Sequence, residues 1–92
     1  MDAKEYIDYL RNRFHTYSML KMMLRDVKDK DEFNNLVNDL FDEIFNDQRD
    51  FNEWTRNNQP LVIPVEKKYM ELESYARSIL DFFVKYKELK IL

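Results

Sequence analysis

Apolar residues recur at three- and four-residue spacing along three stretches of this chain, the period of a helix that buries one face. In residues 2–27 the series is Ala3, Tyr6, Ile7, Leu10, Phe14, Tyr17, Leu20 and Leu24, with Asp2 placed to cap the first turn. The middle stretch, residues 31–58, carries Phe33, Leu36, Val37, Leu40, Ile44, Phe51 and Trp54 on one face. Phe41 and Phe45 widen that face to roughly half the circumference, beyond the ~100° stripe of an ordinary surface helix. Such a helix needs neighbours on two sides. Asp47 interrupts the apolar face, which predicts either a bend or a short fourth helix around Asp50–Asn57.

The third stretch follows the two prolines. Residues 60–64 read as an extended connector bracketed by Pro60 and Pro64 and lying over the core. Pro64 suits the first turn of a helix, and Glu66 suits its positive end. Val65, Tyr69, Leu72, Tyr75, Ala76, Ile79, Phe82, Phe83 and Tyr86 form the predicted buried face, and Lys85, Lys87 and Lys90 gather at the negative end. Met70 and Val84 fall off the stripe. The expectation is one all-α domain over residues 1–92, a small bundle of three main helices.

One segment exceeds the needs of its stripe. Met19, Met22 and Met23 point away from the buried face of the first helix, so residues 19–24 are apolar nearly all round. Either other helices sandwich this end, or it is a contact surface, for which unbranched methionine is well suited.

Composition narrows the fold further. The chain has no glycine, which disfavours primed hairpin turns and phosphate-cradling loops. Cysteine is absent too, which excludes disulfides and thiolate metal sites. A domain of this size buries only about 60% of its unfolded surface, and one without such staples often gains stability by oligomerising. The first residues are charged rather than signal-like, and no apolar run reaches the ~18 residues of a membrane span. The expectation is a cytoplasmic protein that does not contact membrane. Two alanines among many Asn, Lys, Asp, Tyr and Phe suit an AT-rich gene, as in low-GC bacteria and their phages.

Charge is uneven. Residues 1–30 balance to +2, residues 31–58 to −6 and residues 59–92 to +1, within a net charge of −3. Dispersed basic residues and the absence of a recognised motif argue against direct nucleic-acid binding. The acidic row Asp39, Asp42, Glu43, Asp47, Asp50 and Glu53 suggests an alternative, an imitation of a phosphate backbone that occupies the basic groove of a nucleic-acid enzyme.

Little points to catalysis. His15 is the single histidine, and Ser18, Ser74 and Ser78 have no histidine–acid pair to activate them. Asp29-Lys30-Asp31 opens like a calcium loop, but Phe33, Asn34 and Leu40 stand where its ligand, glycine and glutamate belong. Asp39, Asp42 and Glu43 on one helix, with Glu71 and Glu73 on another, leave a remote alternative of a magnesium-dependent nucleotide hydrolase. The paired ExxE and ExxD motifs of the helical nucleotide pyrophosphohydrolases are missing. The Trp-x-Gly turn of the small type VII secretion proteins is missing as well, since Thr55 and Arg56 follow Trp54.

The sequence therefore predicts a non-enzymatic protein–protein interaction module without cofactor or metal. It would be a small bacterial or phage regulator or inhibitor, acting as a homodimer or on a protein target. The expected contact residues are Met19, Met22 and Met23, with Phe41 and Phe45 as a second group. The acidic mimic face would be Asp39, Asp42, Glu43, Asp50 and Glu53.

Overall fold

In the computed structural model, the backbone is described for residues 1–91 and the side chains for residues 1–85. Among the described residues there are three helices and no strand: α1 Ala3–Asp26, α2 Lys30–Asn57 and α3 Ile63–Ile91. Asp2 caps α1 by accepting the Glu5 N–H at 2.8 Å, and Asp29 caps α2 by accepting the Asp31 N–H at 3.2 Å. The connections are short, residues 27–29 and 58–62, so successive helices fold back on one another. The result is a rod with extents of 49 × 18 × 16 Å, in which α1 packs more extensively on α3 than α2 packs on either.

Each helix contributes one stripe to a common core. Tyr6, Leu10, Tyr17 and Leu24 come from α1, and Leu40, Ile44 and Trp54 from α2. Val65, Tyr69, Leu72, Ala76, Ile79 and Phe83 come from α3. Rings join the layers: Phe51 stacks on Tyr69 with centroids 4.1 Å apart, and Tyr6 on Trp54 at 4.9 Å. The Trp54 indole N–H donates to the Met1 carbonyl at 2.9 Å, tying the chain's start to the end of α2.

Four expectations need correction. First, α2 runs through Asp47 without a break, so no separate helix forms around Asp50–Asn57. Asp47 stays on the apolar face, 4% exposed, because α1 supplies its partners. Tyr17 donates to its carboxylate at 2.6 Å and Arg13 Nε donates at 3.0 Å, while the other arm of Arg13 pairs with Glu43. Second, α1 and α3 both pack on α2, as expected, yet they do not cover the whole of its wide apolar face, since Phe41 and Phe45 face solvent. Third, Ile63 and Pro64 already belong to α3, so the connector is residues 58–62 and only Val62 within it packs on the core. Fourth, Phe82 is exposed. It lies about 100° round the helix from Phe83, and only Phe83 keeps the four-residue step from Ile79. The side chains of Tyr86, Lys87 and Lys90 lie outside the described residues.

Candidate protein-binding face

The last turns of α1 and the first turns of α2 build an apolar corner. The Val27 N–H donates to the Met23 carbonyl at 3.0 Å and closes α1. Two residues later Asp29 starts α2, accepting the Phe33 N–H on its carbonyl at 2.9 Å. So tight a connection sets the two helix ends side by side. A groove of about 500 Å³ opens between them, lined by Met19, Met22, Met23, Asp26 and Val27 on one side and Glu32 and Leu36 on the other. The three methionines are 51–62% exposed. They are not sandwiched: Leu24 turns inward to complete the core while the methionines project outward.

The second expected group is open as well. Phe41 is 41% exposed and Phe45 65%. It does not join the methionines. Phe41 lies about 140° around α2 from Leu36, on the flank away from the groove, and neither phenylalanine lines it. The two expected groups are therefore separate apolar patches.

The acidic row is divided by the fold. Asp39, Asp42 and Glu53 are exposed. Glu43 is drawn to Arg13, and Asp47 is buried against the same guanidinium. Asp50 is half-buried, 4.0 Å from Arg49. What remains is a short, interrupted line of carboxylates. Nor do Asp39, Asp42 and Glu43 meet Glu71 and Glu73: among the described residues no three His, Cys, Asp or Glu side chains are gathered so as to hold a metal ion. His15 lies exposed on α1.

Sequence reasoning missed the Arg13–Tyr17–Asp47 cluster. The signal was present in Asp47, a carboxylate on an apolar face that is tolerated only when partnered. The partner could not be named without the register of α1 against α2. Burial pushes the Asp47 carboxyl above the ordinary 3.8, and the hydrogen bonds from Tyr17 and Arg13 pull it back only in part. Desolvation works against the Arg13 charge, yet its bonds to Glu43 and Asp47 outweigh this and raise it. Tyr17 is also pushed upward, by burial and by its bond to Asp47. Arg13 is thus held as a cation and Tyr17 as a neutral donor, which suits a fixed brace between helices.

No helix among the described residues is long and apolar enough to cross a membrane. No protein-family model matches this sequence, and comparison with curated proteins and with solved structures gives no match.

Proposed function

We propose that this protein is a non-catalytic interaction module, a small regulator or inhibitor of bacterial or phage type. It acts in the cytoplasm, by pairing with itself or by holding a protein target on its methionine face. One observation carries the reading: Met19, Met22 and Met23 are all more than half exposed on the wall of a groove that the finished core does not need. Methionine adapts to a partner's shape with little steric penalty, and concave apolar surfaces rimmed by polar groups are where proteins meet. Phe41 and Phe45 form a second, separate patch. The phosphate-mimic reading is not adopted, because Arg13 engages two of its six carboxylates.

Light scattering and circular dichroism on the wild type and Met23→Glu test the proposal. A wild-type dimer that becomes a folded monomer supports self-association through this face. A wild-type monomer that binds an amphipathic helical peptide, with the binding lost in a folded Met23→Glu, supports target binding. If the substitution unfolds the chain, Met23 is core. If it alters neither mass nor peptide binding, the face is inert. Either result overturns the proposal.

A further inference from the structure

The groove at the methionine corner also constrains its occupant. Its walls are apolar, Met19, Met22, Met23 and Val27 from α1 and Leu36 from α2, and its charged lining residues are Asp26 and Glu32. No cation lines it. Neither carboxylate is in an ion pair or a side-chain hydrogen bond among the described residues, and the neighbouring Arg25, Lys28 and Lys30 are exposed outside the groove lining. From Met19 to Val27 the wall runs about 12 Å along α1 at 1.5 Å per residue, room for roughly two helical turns.

Resting on the interaction reading above, we infer that this groove receives a basic amphipathic helix from another protein. Such a helix lays leucine-like residues at i, i+3, i+4 and i+7 between the methionines and Leu36, and sets lysine or arginine against Asp26 and Glu32. A second copy of this chain is the poorer occupant. A two-fold axis through the groove sets the same surface against itself. Groove then meets groove, leaving the concavity unfilled, and Asp26 and Glu32 approach their own counterparts. Like charges so placed reject a partner as firmly as opposite charges select one.

The probe is an 18-residue labelled peptide with leucines at that spacing and lysines on its polar face, followed by fluorescence anisotropy. A control peptide carries glutamate for each lysine. The lysine peptide is expected to bind, the glutamate peptide at least tenfold more weakly. The double variant D26N/E32Q, checked as folded, is expected to weaken the lysine peptide about fivefold, the effect of losing two exposed charge pairs. It should also flatten the salt dependence of binding. Equal binding of both peptides, no binding of the lysine peptide, or an unchanged affinity in D26N/E32Q overturns the inference. These failures are distinct from failure of the interaction reading. If Met23→Glu abolishes binding of both peptides equally, or dissociates a wild-type dimer, the face is an interface and only the basic partner is wrong.

Discussion

The brace between α1 and α2 yields the sharpest energetic prediction. Replacing Arg13 with methionine keeps most of the apolar stem but removes the guanidinium. The side chains of Arg13 and Asp47 are 16% and 5% exposed, so the pair lies in the regime where breaking one partner is strongly destabilising. Removing one member of a buried ion pair typically costs about 3–5 kcal/mol. Two features reduce that here. Tyr17 still donates to Asp47 at 2.6 Å, and the carboxyl, already raised by burial, can take up a proton. The expected loss for Arg13→Met is about 2–3 kcal/mol.

Asp47→Leu leaves Arg13 with Glu43, gains apolar burial and orphans the Tyr17 hydroxyl, for a net loss of about 1–2 kcal/mol. The double variant removes both charges and should fall within about 1 kcal/mol of wild type, as buried pairs exchanged for apolar residues often do. The coupling energy from the cycle is then about 2–6 kcal/mol. A domain of this length is stable by about 5–14 kcal/mol, so each variant remains foldable and measurable. Urea unfolding followed by circular dichroism and by fluorescence of the buried Trp54 provides the four values. If the two single losses simply add in the double variant, the brace is not a coupled buried pair and the reasoning fails.

The same carboxylate sets a pH dependence. Because burial holds the native Asp47 carboxyl above its unfolded value of 3.8, the folded state binds that proton more readily. Its contribution is therefore most favourable below the unfolded value and is lost as pH rises through the native one. Measured by urea unfolding between pH 4 and 7, the stability of wild type relative to Asp47→Asn should improve toward acid; a difference that widens against wild type in acid refutes this. Tyr6 is a separate case: its ring is buried and its hydroxyl has no hydrogen-bond partner among the described residues. Tyr6→Phe should be neutral or stabilising by up to ~1 kcal/mol in thermal unfolding, since an orphaned buried hydroxyl is removed. A loss above that amount would mean the hydroxyl is satisfied in solution.

How much of this was legible follows from which interactions are local. The stripes of α1 and α2 depend on 3.6-residue geometry alone, so Tyr6, Leu10, Tyr17, Leu24, Leu40, Ile44 and Trp54 fall where the spacing puts them. The cap at Asp2 is equally local. Asp47 needed information from thirty residues away: only with α1 in register do Tyr17 and Arg13 reach it, and only then does an unbroken α2 become the better state. Phe82 failed because Phe83 keeps the four-residue step from Ile79. A residue about 100° round from it is covered only where a neighbouring helix reaches that flank, as happens at Tyr75 beside Ala76 but not at Phe82. The methionine corner was half legible. Surplus apolar surface shows in the sequence, but whether a neighbour covers it depends on how closely α1 and α2 stay together past their shared connection.

The corner's composition also argues against a purely structural role. Eleven residues are close to three helical turns, so positions 8, 11, 12 and 15 lie on nearly the same flank of α1 as 19, 22, 23 and 26. The earlier set is Asp8, Arg11, Asn12 and His15, all exposed. Three turns on, the same flank reads Met19, Met22, Met23 and Asp26, and the change falls where the groove opens. The bundle therefore tolerates polar residues along that line. Copying the earlier set, as Met19→Asp, Met22→Arg and Met23→Asn, should cost only the propensity difference of Asp and Asn, about 1 kcal/mol in all. The same triple variant should lose self-association or peptide binding entirely. Thermal unfolding and the anisotropy assay, run on one preparation, separate the two effects. A loss of several kcal/mol would show that the methionines belong to the fold. A stable variant that still binds would place the interface elsewhere, with Phe41 and Phe45 the remaining apolar surface of α2 to test.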